Sequence, residues 1–372
     1  MIYRPEIDGL RALAVLPVLL FHARTPGFHG GFILVAVFFV ISGYLITAII
    51  LQDLNKGAFS LGQFYERRAR RILPALYFVI LCSIPMVWIV AMPSQLKDFS
   101  QSLVAISAIA ANIFFYLKVG YFEPATELNP LLHVWSLAVE EQFYFIFPIF
   151  LILSFRWLRQ GIVPLILLLS IASFMIAQSL LATDPSQSFF LPFGRAWELM
   201  IGALLNFLPK RTKSWKLGWE IGATLGLSMI VGSIFILNET HPFPGLLALP
   251  PTFGTALVIY CTSSSFGIGK LLANRLAVGI GLVSYSTYLW HQPLFAIARI
   301  HVLGDPPLFV FLILSLLSIG LAYLTWRYIE RPFRNKKVIP RKTLVIACIA
   351  AIAPVVALGI SGHMTDGFKE IK

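Results

Sequence analysis

The stretch DGLRALAVLPVLLFHARTPGFHGGFILVAVFFVISGYLITAIIL, residues 8–51, contains two apolar runs, 8–24 and 30–51, joined by a short polar loop. Each run approaches or exceeds the ~20 residues that an α-helix needs to cross a bilayer. The apolar residues are continuous and do not alternate with polar ones, which argues against membrane β-strands. The stretch therefore predicts two transmembrane helices, the first of which contains Arg11 and His22.

The rest of the chain has the same character. Of its 372 residues 58% are hydrophobic and 12% are charged, against roughly 45–50% and 25% in soluble domains, and the mean hydropathy is +0.81. The core of a single soluble domain cannot bury this excess of apolar side chains. The sequence therefore predicts an all-α, polytopic transmembrane helix bundle. The apolar segments are 8–24, 30–51, 72–92, 99–117, 131–154, 162–182, 190–208, 218–237, 246–263, 278–302, 308–328 and 343–361.

The net charge of +12 is concentrated in linkers between these segments. Such clustering is typical of cytoplasmic loops, and we expect contact with the lipid bilayer and no nucleic-acid partner. The basic linkers are 67–71, 156–159, 210–213, 270–275 and 327–342. The linkers without Lys or Arg, which we expect on the outer side, are 183–185, 238–240 and 305–306.

These charges predict a topology. With a cytoplasmic N-terminus, an even number of crossings must separate linkers 67–71 and 156–159, yet three apolar segments lie between them. One segment within 72–154 should therefore be re-entrant or interfacial, and we expect it to involve 99–141. The result is about eleven spans with an outer C-terminus. Residues 1–335 would form a ten-span domain, and 336–372 a basic cytoplasmic linker, an eleventh helix and a short outer tail.

Arg11 and His22 stand out because ionisable groups inside a membrane are costly and often functional. Eleven positions correspond to three helical turns plus ~20°, so both residues lie on one face, ~16 Å apart along the axis. One interpretation is that the Arg11 side chain extends to the inner membrane interface and that His22 lies at the outer one. The other is a reactive stripe in which His22, as a neutral imidazole, acts as a general base near its outer end.

The linker that precedes the third segment contains four arginines around Ala69. They act as a topology anchor in one interpretation. In the other, their guanidinium groups bind the phosphates of a nucleotide-bearing donor. The predicted donor-binding residues are Arg11, Arg67, Arg70 and Arg71.

Polar residues also interrupt the segments 131–154 and 278–302. His133, Ser136, Glu140 and Tyr144 share one helical face by their spacing. Glu140 and Glu141 indicate either a reactive site or pairing with arginines elsewhere in the bundle. The polar and aromatic run 284–293 indicates either an aromatic belt at the membrane interface or the wall of a sugar-binding cavity. The residues predicted to line a substrate cavity are His133, Trp135, Ser136, Tyr144, Arg195, Tyr285, Tyr288 and His291.

Two further acidic residues are expected to have structural roles. Arg195 and Glu198 are spaced for an ion pair within one helix. Glu330, between Arg327 and Arg331, is expected in a surface ion network. Because Cys82, Cys261 and Cys348 lie in separate segments, the sequence predicts neither a disulfide nor a metal site.

Read in order, these motifs resemble the acyltransferase 3 family of membrane acyltransferases, in particular its O-antigen and cell-surface polysaccharide O-acetylases. Residues 4–12 resemble the family's start, Arg11 and His22 match its R-x10-H signature, and FFVISGYLI at 38–46 matches its second-helix motif. Further matches are 67–74, 133–144, 195–202, 285–293 and 330–333, so the resemblance covers about residues 4–335.

The resemblance implies a bacterial inner-membrane enzyme that moves an acetyl group from cytoplasmic acetyl-CoA to a hydroxyl of a cell-surface glycan or lipid-linked sugar. His22 and Arg11 would be catalytic, with Glu140 or Glu141 orienting an imidazole or balancing an arginine. His22 would activate the acceptor or transiently carry the acyl group. The resemblance also implies an external SGNH domain as a partner in some members; its Gly-Asp-Ser motif is not in this sequence.

This sequence departs from the family pattern at two positions. Ala36 stands where an acid is common, which weakens any mechanism that needs a carboxylate from that helix, and Gln292 follows His291 where Trp is common. Two alternative functions stay open: transport of a lipid-linked sugar, and transfer of a succinyl rather than an acetyl group.

Overall fold

The computed structural model describes residues 3–118, 127–209 and 215–372. Within these residues the chain forms helices and turns and no strand, which confirms the predicted all-α membrane helix bundle. The first helices are α1 (Pro5–His22), α2 (Val35–Asn55), α3 (Leu61–Val90), α4 (Pro93–Ser107), α5 (Ala111–Lys118), α6 (Val134–Trp157), α7 (Ile162–Leu180) and α8 (Pro185–Phe190). They are followed by α9 (Pro192–Leu204), α10 (Lys216–Ile236), α11 (Leu249–Cys261), α12 (Gly267–Leu272), α13 (Arg275–Val302), α14 (Leu308–Thr325), α15 (Arg331–Arg334) and α16 (Arg341–Met364).

Several helix starts follow directly from local sequence. Pro5 stands at the first turn of α1, with Glu6 and Asp8 near the positive end of the helix dipole. The Ser60 hydroxyl accepts a hydrogen bond from the Gln63 amide and caps α3. A π-helix, Trp326–Glu330, joins α14 to α15 and carries a buried carboxyl group.

The helices that could span a membrane by length and apolarity number seven among the described residues. They cover Gly31–Asn55, Leu61–Val90, Val134–Trp157, Ile162–Leu180, Lys216–Ile236, Leu308–Arg334 and Arg341–Met364. Two more, α1 with 18 residues and α13 with 28, have the length but carry polar or charged residues within it. The chain is thus a multi-pass membrane protein, and eleven spans stay a prediction.

In the described part of 99–141, the segment predicted not to cross, two short helices precede α6. The helix α4 has 15 residues and α5 has 8, each fewer than the ~20 needed for a crossing. Residues 119–126 lie outside the described residues. The re-entrant or interfacial arrangement therefore stays a prediction, with short helices where it was expected.

The contacts divide the chain into two compact units. Unit 1 comprises Met1–Phe59 and Val139–Leu282, and unit 2 comprises Ser60–Ala138 and Val283–Lys372. The predicted boundary at residue 335 separates the ten-span enzymatic domain from the C-terminal helix, which is a different division, and it stays a prediction.

In unit 1, helices approach closely where glycine faces a neighbouring backbone. A Cβ atom at Gly43 of α2 would stand 1.8 Å from the Leu199 carbonyl oxygen of α9, and one at Gly202 would stand 2.0 Å from the Val40 oxygen. Gly9 of α1 packs in the same way against Leu272 of α12. Small residues allow membrane helices to gain van der Waals contact at short range.

In unit 2, α4 packs against α16. A Cβ atom at Gly362 would stand 2.1 Å from the Ser100 hydroxyl oxygen, so this contact also needs a residue without a side chain. The Tyr77 hydroxyl of α3 donates to Ser107 of α4 over 3.1 Å, which joins α3 to the same group.

Replacing Gly43 by Ala should destabilise unit 1, because the new methyl group cannot fit against the Leu199 carbonyl. Overpacking of this kind costs roughly 1–3 kcal/mol. Thermal unfolding of the detergent-solubilised protein should show a lower midpoint. Gly320→Ala is the matched control, because a Cβ atom there meets nothing within 4 Å; equal midpoints for the two variants would contradict the packing argument.

Candidate functional site

The N-terminal half of α1 holds Arg11 in a small polar network. Its guanidinium donates to the Asp8 carboxylate over 2.9 Å, and Asp8 also accepts from the Tyr3 hydroxyl over 2.8 Å. Burial, followed by the hydrogen bond to Asp8, raises the pKa of Tyr3 to about 12, so this hydroxyl stays a donor at neutral pH. Arg11 is therefore a charge-compensated cation. Asp8 was missed by the sequence reasoning, although its i,i+3 spacing to Arg11 predicts the pair.

His22 is the last residue of α1, and only 5% of its surface is exposed. Its ring packs edge-on against Phe21, with 4.9 Å between the ring centroids. Phe21 in turn contacts Phe32 at 5.3 Å, and Phe32 contacts Phe243 at 5.4 Å. A continuous series of aromatic rings thus extends from His22 into unit 1 and shields it from water.

The far end of this aromatic series meets Arg195. Its guanidinium carbon lies 5.0 Å from the Phe243 ring centroid, and it also lies over the rings of Phe39 and Phe189. Arg195 pairs with Glu198 over 3.1 Å, and both side chains are fully buried. The intrahelical pair predicted from spacing is confirmed, and cation–π contacts stabilise the charge in an apolar setting.

Glu140 joins α2 to α6 through hydroxyl groups. Its carboxylate accepts hydrogen bonds from Ser42 over 3.1 Å and from Tyr144 over 2.8 Å, and the two hydroxyls also contact each other. The predicted shared face of Glu140 and Tyr144 is confirmed by this i,i+4 contact. These bonds give Glu140 a positioning role; a role of Glu140 or the half-buried Glu141 toward His22 stays a prediction.

Unit 2 contains a second buried polar group, in which the structure brings together four predicted cavity residues. The rings of His133, Tyr288 and His291 lie 5.2–5.3 Å apart. The Tyr288 hydroxyl lies 2.9 Å from that of Ser136. Neither ring nitrogen of His133 has a hydrogen-bond partner within the described residues. We name His133, Ser136, Tyr288 and His291 the histidine cluster.

Three neighbours of the histidine cluster have structural contacts. Trp135 is fully buried in the core. Gln292, where the family often has Trp, donates to the carbonyl oxygens of Glu127 and Asn129 over 2.9 and 3.3 Å. Tyr285 donates to the Ile72 carbonyl of α3 over 3.0 Å, so its hydroxyl is engaged on α3 rather than within the histidine cluster.

The surroundings of Arg70 give it a structural role, while its predicted role in phosphate binding stays a prediction. Only 2% of this side chain is exposed, and it pairs with Glu66 over 2.9 Å. It also donates to the carbonyl oxygens of Phe333 and Ile339 over 3.0 and 2.7 Å. Arg70 therefore ties the basic linker after α14 to α3, whereas Arg67 and Arg71 are only half-buried.

The expected surface position of Glu330 is wrong. Its side chain is fully buried in the π-helix, where it pairs with Arg334, and Ser286 donates to it over 2.5 Å. The π turn shifts the helical register and points the carboxylate inward, which the charges at Arg327 and Arg331 do not reveal.

Arg299 of α13 is a buried charge that the sequence reasoning missed. It donates to Asp305 over 2.9 Å, lies 3.7 Å from Glu127, and packs over the Phe311 ring. Because α13 ends at Val302, between Arg299 and Asp305, the spacing rules for ion pairs within a helix do not predict this pair.

Replacing Arg70 by Ala should loosen the linker 331–340, because two buried carbonyl oxygens and Glu66 would lose their donor. The cost is about 1–3 kcal/mol for each buried group left unsatisfied. Trypsin should then cleave this basic linker faster in solubilised protein. Arg71→Ala is the control and should leave cleavage unchanged; equal protection in both variants would contradict the structural role of Arg70.

Comparison with known proteins adds to this geometry. Residues 4–327 match the family described as "Acyltransferase domain", acyltransferase 3. YrhL of Bacillus subtilis (strain 168) is 33% identical over 356 residues, which cover 90% of this chain and 55% of that protein. No solved structure matches this chain.

Two further relatives have names that state an activity. "Peptidoglycan O-acetyltransferase OatA" of Listeria monocytogenes is 30% identical over 98% of this chain and 64% of its own length. "O-acetyltransferase OatA" of Staphylococcus aureus (strain NCTC 8325 / PS 47) is 31% identical over 90% of this chain and 58% of its own length. The chain thus spans between about half and two thirds of these relatives. Because the match extends over most of the chain, the protein belongs to the acyltransferase 3 family.

Proposed function

We propose that this protein is a membrane-embedded O-acetyltransferase that moves an acetyl group from acetyl-CoA to a hydroxyl of a cell-surface glycan. The observation that carries the proposal is the buried imidazole of His22, on the same helix as Arg11, within a family of acyltransferases. Relatives named as O-acetyltransferases support the acetyl group as the one transferred.

The names of the relatives change which acceptor glycan we propose first. O-antigen and lipopolysaccharide were the expected acceptors, whereas the Listeria relative is named for peptidoglycan. Peptidoglycan therefore becomes the first acceptor to test, followed by O-antigen, lipopolysaccharide and exopolysaccharide. Mass spectrometry of each glycan fraction, with and without the gene, would identify the one that loses an acetyl mass.

The proposed chemistry needs one base. His22 removes the proton of the acceptor hydroxyl, whose oxygen attacks the thioester carbonyl carbon. The carbon–sulfur bond breaks, the CoA thiolate leaves, and the imidazolium returns the proton to it. In the alternative order of steps the His22 imidazole attacks the thioester carbon first and the CoA thiolate leaves; the acceptor hydroxyl then attacks the acetyl-imidazole, and its proton passes to the thiolate. Both orders of steps benefit from the shielding of His22 by aromatic rings, because excluded water cannot compete with the glycan hydroxyl as acetyl acceptor.

Arg67 and Arg71 are the proposed phosphate-binding residues for acetyl-CoA, with Arg11 in support. Guanidinium groups bind phosphates through paired hydrogen bonds. Arg70 is assigned to holding the linker, where Lys336 lies 3.5 Å from Glu66 and adds positive charge beside α3. This division assigns the two half-buried arginines to the donor phosphates.

The proposed location is the bacterial inner membrane, with a cytoplasmic N-terminus and an outer C-terminus, on the basis of the linker charges. An external SGNH domain is kept as a proposed partner for the final transfer. Transport of a lipid-linked sugar is not favoured, because the named relatives are transferases. Succinyl transfer is tested by offering succinyl-CoA in competition with acetyl-CoA.

His22→Ala should abolish acetylation, because the only base in the proposed step is lost; general bases contribute about 10²- to 10⁴-fold. Acetyl content of surface glycans would be measured in a deletion strain that carries the variant. His301→Ala, an exposed histidine at the end of α13, is the control and should restore wild-type acetylation. Normal acetylation by His22→Ala would refute the central role of this residue.

Arg67→Ala and Arg71→Ala should each raise the KM for acetyl-CoA about tenfold, as expected for the loss of one charged hydrogen bond. The effect should shrink at high salt. Donor titrations on solubilised protein would measure it. Arg159→Ala, an exposed arginine in another basic linker, serves as the control, and an unchanged KM in the first two variants would remove the docking assignment.

A further inference from the structure

We propose that a cavity at the outer end of α1 is a binding subsite for an uncharged, hydroxyl-rich segment of the glycan acceptor; this inference rests on the proposed function. The cavity has a volume of about 320 Å³ and lies wholly within unit 1. Its walls are the end of α1 with the loop that follows it, and the turn that follows α10. This volume lies at the lower end of the ~300–1,000 Å³ typical of ligand pockets.

The charges of the cavity favour a neutral ligand. Arg24 and Glu239 both line it and form an ion pair, with 3.4 Å between guanidinium nitrogen and carboxylate oxygen, so one positive and one negative charge compensate each other. A phosphate would meet this carboxylate and be repelled. Hydroxyl groups, in contrast, donate to a carboxylate and accept from a guanidinium, so a sugar can satisfy both.

The remaining walls fit a sugar ring as well. Phe28 is half-buried in the cavity wall, and its ring is supported by Phe235 at 5.8 Å between centroids. Thr25 and Thr240 line the same space, and the Thr240 hydroxyl donates to the Asn238 side-chain oxygen over 2.6 Å. An apolar ring face beside hydrogen-bonding groups is the combination expected for a carbohydrate, whose rings have an apolar C–H face and polar edges.

The cavity walls are held in place by the backbone. The Gly30 amide donates to the Ile234 carbonyl over 3.0 Å, and a Cβ atom at Gly30 would stand 2.3 Å from the Ser233 oxygen. The Asn238 side-chain oxygen accepts from the amide and hydroxyl of Thr240 and so closes the second wall. Both walls are therefore preformed, which lowers the entropic cost of binding.

The position of the cavity suits an acceptor. Phe21 lines it and also packs on the His22 ring at 4.9 Å, so the subsite begins next to the proposed base. The linker 238–240 contains no Lys or Arg, and the topology prediction places it outside, together with the His22 end of α1. Two segments far apart in sequence, each expected on the outer side, thus form one polar cavity.

The test uses the full chain in detergent and a soluble tetramer of β-1,4-linked N-acetylglucosamine as the probe. Saturation-transfer NMR should detect its binding to the wild type, and Phe28→Ala and Glu239→Gln should each weaken it about tenfold. The KM for the tetramer should rise by a similar factor while the KM for acetyl-CoA stays constant. The controls are Phe309→Ala and Glu370→Gln, exposed residues of the same types elsewhere.

The outcomes separate this inference from the proposed function. His22→Ala should lose activity and still bind the tetramer. Unchanged tetramer binding in both cavity variants, or no binding to the wild type, would overturn the subsite while leaving His22 as the base. Displacement of the tetramer by glycerol phosphate at equal concentration would indicate a lipid headgroup site and would also overturn it. Full activity of His22→Ala would refute the proposed function itself.

Discussion

An ionic group in the apolar interior of a membrane protein needs a partner, because neither lipid nor packed side chains can solvate it. Four such pairs among the described residues lie three or four positions apart along the chain, whereas Arg299 pairs with Asp305 beyond the end of its helix. Aromatic rings also surround the fully buried Arg195. The compensated pairs are Arg11–Asp8, Arg70–Glu66, Arg195–Glu198 and Glu330–Arg334.

This pairing separates structural charges from groups that remain suited to chemistry. Arg70 is used to hold a linker, and Glu140 to join two helices through hydroxyl groups. The imidazole of His22 is different, because it lies at a helix end, beneath aromatic rings and beside a polar cavity. The histidine cluster of unit 2 has the same buried character.

Prediction from sequence succeeded where periodicity carried the information. Spacing identified the Arg195–Glu198 pair and the shared face of Glu140 and Tyr144, since both contacts lie within one helical turn. It failed where partners come from distant segments. The carbonyl groups that bind Arg70 lie 263 and 269 positions away along the chain, and a π turn reverses the expected exposure of Glu330.

The sequence by itself determined the class of the molecule, the family and the positions of costly residues, because hydropathy, helical period and motif spacing are local properties. Arg11 and His22 share α1 for that reason. Tertiary structure decided which of these ionisable residues form structural pairs and which, like His22, lie next to a cavity. The cavity beside Phe21 depends on a loop and a turn more than 200 residues apart, and only the packing of α1 against its neighbours brings them together.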